Sequence, residues 1–422
     1  MIRTLNRLVM HRRAMAAILL LALLPRAAML LCAVTPTSDA DWYYGHAAQM
    51  AAGMDYLDGH GHPTAFWPVG WPWLLSLAFR LGGTSLATLG LLNLGAALLT
   101  VWLTRDLGRL LTGSEAAGRI AALLYAVYPN AILYVPLALT EVVYTALLLV
   151  AVKLLVADVP GFRIAQWVLA GLVFALATLV KAQTLVIVPA IVLVMALRNR
   201  ALLRPALCGA IVLGTALLAI APWTVRNHQA LGAWVMVSTN GGFTLLTGNN
   251  DSANGTYTPD DPLVKQVEAR TDLDEVARDA LARQLAKDWI ATHPARFARL
   301  APLKLVRLWG PDGEGQWAYE TGSRIYPAAP KAFLAVRAVN QALYWALLAV
   351  FVIAPLPLIR ARRAAGQPVV DWWLIAYVVA LFPSLIAVVF SGQSRFHFPA
   401  MPFVCMMAGG MLAQWATRRS PL

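Results

Sequence analysis

Ten long apolar runs, separated by short polar links and two long mixed segments, organise this 422-residue chain. A helix needs about 20 apolar residues to cross the hydrocarbon of a membrane. The runs lie near residues 14–34, 86–103, 119–135, 137–157, 164–181, 183–197, 205–224, 338–358, 372–390 and 398–416. The pattern predicts an all-α polytopic membrane protein with about ten transmembrane helices. The fifth and sixth runs are short and joined by Lys181-Ala182-Gln183, so they should form a tight hairpin with a polar tip. The first run is longer than the 7–15-residue core of a cleaved signal, which makes it a retained helix. Cys32 follows Leu31 rather than a small residue, which argues against a lipoprotein cleavage site.

Three parts follow from the pattern: a transmembrane module over 1–224 that includes the loop 35–85, an extracytoplasmic segment over 225–337, and closing helices over 338–422. Within the first loop, FWPVGWPWLLSLAFRL over 66–81 is apolar but short and broken by Pro68 and Pro72. It reads as an interfacial or half-embedded helix with its tryptophans at headgroup level. The second segment opens with NGGFTLLTGNNDSANGTYTP, whose Gly/Asn content predicts turns. A helix is predicted from about Asp272 to Thr292, stopped by His293-Pro294. ARFARLAPLKLVRLW then alternates basic and apolar residues at helical spacing, the pattern of a helix lying on lipid.

Composition supports the membrane reading. The chain is 59% hydrophobic and 13% charged, against about 25% charged in soluble domains. A net charge of +13 would suit nucleic acid, but most arginines sit in short links between apolar runs. Arg3, Arg7, Arg12 and Arg13 precede the first run; Arg105, Arg109 and Arg119 follow the second; Arg198, Arg200 and Arg204 follow the sixth. Arg360, Arg362 and Arg363 follow the eighth, and Arg418 and Arg419 close the chain. All five clusters fall on one side of a ten-span arrangement, which the positive-inside rule makes cytoplasmic. The expectation is a bacterial inner-membrane protein with both termini cytoplasmic, and nucleic acid is excluded as a partner. Cys32, Cys208 and Cys405 are far apart and lack metal-ligand spacing, so they read as packing residues. Asn250 and Asn254 stand in sequons that read as turn positions.

Candidate chemistry gathers at the other side. Asp39 and Asp41 emerge where the first run ends, and either could cap the short helix beginning at Asp41-Trp42-Tyr43. Glu141 opens the fourth run, Lys181 tips the hairpin, Arg226 ends the seventh run, and Arg395 and His397 lie between the last two. Five junctions on that side each carry such a residue, and acid and base gathered at one membrane rim suggest a site for an anionic, lipid-soluble substrate. Arg26 alone stands well inside a run and is expected to pair with a neighbouring helix or to snorkel.

Asp39-Ala40-Asp41-Trp42-Tyr43 followed by Ala47 resembles the first-loop signature of the GT-C membrane glycosyltransferases, in the protein O-mannosyltransferase and aminoarabinose-transferase branch. The resemblance continues through PVGWPWLLSLAFRLGG, LALTEVVYTALLL, APWTVRNHQALGAWVMVSTNGGFTLLTGNN, ATHPARFARLAPLKLVRLW and RFHFPAMPF, covering nearly the whole chain in order. It implies transfer of a sugar from a polyprenyl-phosphate donor to a lipid, glycan or protein acceptor on the extracytoplasmic face. By position Asp39 matches the family's first acidic residue, the general base, while Ala40 stands where a second acid is usual. Either Asp41, one residue on, substitutes for it or the acceptor chemistry differs, and Tyr43, Glu141 and His397 are further site candidates. Lys181 falls where related chains often carry arginine, and Arg226 and Arg395 match positions that hold the carrier phosphate. One base opposite the leaving group implies inversion at the anomeric carbon. No cofactor follows with certainty. Asp39 and Asp41, two residues apart, offer hard oxygens to a divalent cation, although cationic side chains can do that work without one. Two rivals stay open: a polysaccharide polymerase or ligase using lipid-linked glycans, and a secondary transporter, against which the lack of an internal repeat weighs.

Overall fold

The computed structural model describes residues 8–157 and 163–418, with side chains through Trp415. Arg3, Arg7 and Arg419 of the basic clusters lie outside those residues, as does the Arg418 side chain. The chain forms helices α1 (Ala14–Met29), α2 (Asp39–Ala51), α3 (Gly70–Gly82), α4 (Leu86–Thr112), α5 (Glu115–Ala126), α6 (Pro129–Leu133), α7 (Glu141–Val156), α8 (Arg163–Val180) and α9 (Ile187–Asn199). After the long α10 (Leu203–Leu231) come α11 (Gly241–Gly248), α12 (Pro262–Glu268), α13 (Glu275–Thr292), α14 (Pro294–Trp309) and α15 (Trp317–Gly322). The chain closes with α16 (Pro330–Ile353), α17 (Pro355–Ala364), α18 (Trp373–Val389) and α19 (Met401–Arg418). Among the described residues there is no strand, only the isolated bridges Val34 to Ser323 and Leu57 to Pro63.

Helix occurs at each predicted run, and among the described residues 6 helical segments are long and apolar enough to cross a membrane. They are α4, α8, the continuous Ala182–Asn199, α10, Pro330–Ala364 and Ser394–Trp415, while α1 and α18 are apolar but shorter. The chain is an all-α polytopic membrane protein.

Hydrogen bonds and ion pairs hold the described basic clusters at one end of the bundle. Arg119 donates to the Val9 carbonyl at 2.8 Å, Arg105 pairs with Glu115 at 2.6 Å, and Lys153 at the end of α7 pairs with Asp106 at 2.6 Å. Arg198 and Arg362 share Asp371 just before α18. A cavity of about 240 Å³ between Thr112, Arg362 and Trp373 links the two groups. The opposite end of α7 carries Glu141, so the acidic and basic candidates stand at the other rim.

Several local expectations are corrected. The run 119–135 is not one helix: α5 stops at Ala126 because Pro129 holds Tyr128 extended, at φ −69° and ψ 113°. Residues 134–140 are buried and non-helical, which a membrane protein tolerates only where other protein groups satisfy the backbone. They do so here. The Tyr319 hydroxyl donates to Leu133 O at 2.6 Å, the Asn93 amide to Val135 O and Leu137 O at 3.0 and 2.9 Å, and the Trp71 indole to Ala138 O at 3.0 Å.

Trp71 is therefore fully buried rather than at headgroup level, whereas Trp73 stays 43% exposed. Pro72 does not break α3, since it falls in the first turn, where no intrahelical donor is lost. The Gly/Asn stretch is only partly turns, because residues 241–248 form α11. Gly242 is needed for contact: a methyl there would stand 2.0 Å from the Asp279 carbonyl oxygen of α13. Asn250 is buried with its amide bonded to Leu246 O and Thr258. The basic amphipathic helix α14 spends Leu300, Lys304 and Leu308 on packing within the protein, leaving Leu303 and Val306 exposed. Part of the face assigned to lipid is thus used internally.

Arg26 pairs with a neighbouring helix, as one of the two expectations had it. Its guanidinium donates to Ala126 O at 2.8 Å and Tyr125 O at 3.2 Å, capping the C-terminus of α5. Replacing it leaves those buried carbonyls unmet, which costs roughly 1–3 kcal/mol. Arg26→Met should accordingly lower the thermal unfolding midpoint of detergent-purified protein; an unchanged midpoint would discount the capping role.

Candidate functional site

The site begins at a strained residue. Ser38 takes φ 55° and ψ −129°, a region that costs a non-glycine residue on the order of 1–3 kcal/mol. It turns the chain sharply into α2. Ser38 is the N-cap, and its hydroxyl makes no capping bond. Neither aspartate caps the helix, contrary to the sequence-based alternative; both fall in its first turn, where the helix dipole favours carboxylates. Residues i and i+2 do not share a helix face. Asp39 accordingly points inward, 21% exposed, whereas Asp41 is exposed to solvent. Ala40 between them is buried.

Asp39 Oδ2 meets Arg395 Nη1 at 2.7 Å. This pair joins two segments more than 350 residues apart in the chain. The 391–400 segment is in turn held from several directions. Arg395 Nε donates to Gln393 Oε1 at 3.0 Å. Glu314 accepts from the Ser394 hydroxyl at 3.1 Å and from the Arg395 backbone N–H at 3.2 Å. Lys181 at the hairpin tip pairs with Glu141 at 3.2 Å, the carboxylate 2% and the ammonium 14% exposed. Its Nζ also lies 5.7 Å from the centre of the Phe396 ring, and Arg395 lies 5.4 Å from the same ring. Phe396 thus stands between the two ion pairs. Glu141 Oε2 is buried and has no hydrogen-bond partner among the described residues. Tyr43 is buried beside Asp39, and burial first, then the aspartate's charge, raises its phenol well above the ordinary value. It remains a neutral hydroxyl.

Two of the sequence candidates are committed elsewhere. Arg226 donates to Thr64 O and Tyr56 O, both at 2.8 Å, and lies over Trp223. It clamps the loop after α2. His397 is fully buried, bonded through Nδ1 to Leu308 O at 2.5 Å and through Nε2 to Asp312 at 3.0 Å. Asp312 also accepts from Tyr128, Asn130 and Asn340, so His397 belongs to a packed polar hub under the site.

A cation site at Asp39 and Asp41 does not fit, because the two carboxylates diverge and one is paired with Arg395. Among the described residues no group of three or more His, Cys, Asp or Glu side chains converges on a point.

The family model for dolichyl-phosphate-mannose-protein mannosyltransferases matches residues 66–225, which contain Glu141 and Lys181. The oligosaccharyltransferase of Archaeoglobus fulgidus has a similar fold: its apo form aligns with a TM-score of 0.56 at 15% identity, over 94% of this chain and 50% of that one. Its complex with an inhibitory peptide and a dolichol-phosphate aligns at 0.53 and 17% identity, over 95% and 50%. Residues 66–225 thus resemble that mannosyltransferase family, and the fold resembles that of the oligosaccharyltransferase. ArnT from Cupriavidus metallidurans bound to undecaprenyl phosphate aligns more loosely, at 0.46 and 14% identity, over 96% and 77%. The chain spans about half the length of the oligosaccharyltransferase chains it resembles. No curated protein matches it in sequence.

Sequence reasoning missed several groups that surround the Asp39–Arg395 pair. Glu314 and Gln393 hold Arg395, and the acidic PDGEG stretch that follows the basic helix α14 was the one available signal for the former. Tyr257 is half exposed, and its phenol is pushed up by partial burial and by the charge of Asp39. Lys304 is fully buried, donating to Asn249 Oδ1 at 2.7 Å and Val388 O at 3.2 Å. It lies under the 391–395 turn, where a methyl on Gly392 would stand 1.9 Å from the Lys304 carbonyl oxygen.

Burial among neutral acceptors lowers Lys304 from 10.5 to about 8. Between those values the unfolded chain holds a proton that the folded chain has released, so stability rises with pH in that window. Below about 8 the penalty for a buried ammonium is present in full. The unfolding midpoint relative to Lys304→Met should therefore climb from pH 8 toward pH 10. Parallel pH profiles for the two proteins would contradict this. Gly392→Ala is expected to displace Arg395 and lower both stability and activity; a midpoint and rate equal to those of the parent would rule out the tight contact.

Proposed function

We propose that this protein moves a sugar from a polyprenyl-monophosphate carrier to an acceptor hydroxyl on the extracytoplasmic face of a bacterial inner membrane. The observation that carries the reading is the Asp39–Arg395 pair beside Lys181 and Glu141 at one rim of an apolar bundle. The dolichol-phosphate bound in the fold-related oligosaccharyltransferase supports the class of carrier. Both termini are assigned to the cytoplasm, where the basic clusters at the opposite end agree with positive-inside orientation.

The chemistry follows from the charges. The carrier phosphate, a dianion when it leaves, needs cations, and Arg395 can bind it through two N–H groups. Moving to the phosphate takes Arg395 off Asp39, whose Oδ2 is then free to accept the acceptor's hydroxyl proton. The acceptor oxygen forms a bond to the anomeric carbon as the bond to the phosphate oxygen breaks, and that oxygen keeps the electron pair. One positioned base on the face opposite the leaving group gives inversion. Lys181 supplies the second cation, and the unmet Glu141 Oε2 is suited to a hydroxyl of the bound sugar. Arg226 keeps the loop after α2 in place, and Asp41 faces solvent, where an acceptor approaches.

A diphosphate-linked donor, as a polymerase or ligase uses, is less favoured. The cluster holds two cations, each already matched by a carboxylate, and a diphosphate brings more negative charge than they balance. Transport is disfavoured because the ionisable groups stand at the rim rather than in broken helices at mid-depth.

Purified membranes supplied with a polyprenyl-monophosphate sugar should release free carrier phosphate. Asp39→Asn should slow that release by about 10²–10⁴-fold with normal expression, and full activity would remove Asp39 from the mechanism. Arg395→Ala should cost about 10²–10³-fold in kcat, as loss of one well-placed donor does. A product that retains the donor's anomeric configuration would reject the single-base mechanism.

A further inference from the structure

Beside Arg395 a cavity of about 410 Å³ opens between the α14–α15 connection, α16 and the 392–394 turn. Its size falls in the range of small-molecule sites, about 300–1,000 Å³. It shares a wall with the reaction centre, because Gln393 lines it while holding Arg395 Nε at 3.0 Å. Glu314 lines it too, with Oε2 occupied by Ser394 and the Arg395 backbone.

Trp317 presents a half-buried indole whose N–H donates to no group among the described residues. Arg337 and Glu320 face each other at 2.6 Å on the same wall. Arg307 is exposed and has no carboxylate partner among the described residues.

These groups point to one ligand chemistry. The two guanidinium groups of the wall are outnumbered by the carboxylates of Asp312, Glu314 and Glu320, so there is no excess positive charge for a second phosphate. An aromatic side chain on a wall that also carries fixed donors and acceptors suits a ring with one apolar face and hydroxyls that both donate and accept. That describes a sugar. We propose that this cavity is a saccharide subsite of the transfer reaction, with Trp317 as the stacking platform and the Arg337–Glu320 pair and Gln393 as hydroxyl partners. The assignment rests on the glycosyl-transfer reading above.

The test uses the full chain in detergent micelles with methyl glycosides of glucose, galactose, mannose and N-acetylglucosamine, followed by saturation-transfer NMR. At least one glycoside should receive magnetisation from the protein. Trp317→Ala should weaken its binding by roughly tenfold, Trp317→Phe should retain most of it, and Asp39→Asn should leave it intact. Transfer to no glycoside, or equal transfer in Trp317→Ala and the parent, overturns the proposal. Adding the sugar-loaded polyprenyl monophosphate distinguishes the two sources of the sugar: displacement of the glycoside assigns the cavity to the donor, and persistence assigns it to the acceptor. Both outcomes support a saccharide subsite. Trp317-dependent binding in a protein whose Asp39→Asn variant transfers sugar at full rate would uphold the subsite while refuting the proposed reaction.

Discussion

A polar group carried into an apolar bundle must find its partner within the protein, and this constraint governs both the fold and the site. Where the backbone leaves the helical path over 134–140, its carbonyls and that of Leu133 just before it are taken up by Asn93, Trp71 and Tyr319 from three distant parts of the chain. Where Arg26 enters α1, the open end of α5 receives it. Water could serve neither set of groups at that depth. The irregular stretch that results ends at Thr140, and so delivers Glu141 to the start of α7 at the rim.

The same constraint explains why the site is built of matched pairs. Asp39 with Arg395 and Glu141 with Lys181 each neutralise a charge that would otherwise be stranded in a largely dry place. Breaking a buried pair by removing one partner is costly, yet replacing that partner with another anion restores the balance. In the reaction proposed above, the carrier phosphate takes the cation from the carboxylate, which is then free to act as a base. The segment that carries Arg395 is kept in register by Glu314 and Gln393, by the close seat of Gly392 on Lys304, and by the His397–Asp312 hub beneath it.

Much of the helical layout could be read in the sequence, because 20-residue apolar runs leave little choice of structure in lipid. Boundaries failed where a neighbour overrode local preference. Gly241-Gly242 reads as a turn, yet it opens α11 because Asp279 on α13 needs a neighbour without a side chain. Trp71 reads as an interfacial anchor, yet it is buried because Ala138 offers it a carbonyl. Of the candidate residues, Asp39, Glu141, Lys181 and Arg395 stand together, while Arg226 and His397 are used for support. Position at a helix end placed all six at one rim, and nothing in their local sequence told a ligand-facing cation from a structural one.

The sequence by itself determined that the chain crosses a membrane as helices, and which rim carries its scarce acids and bases. Hydropathy and charge are summed over long stretches, so they survive without knowledge of neighbours. Tertiary structure alone decided which acid meets which base, that Asp39 turns inward while Asp41 faces water, and that a sugar-sized cavity adjoins Arg395. Such pairings depend on ångström-scale approach between segments hundreds of residues apart, and no local pattern encodes that distance.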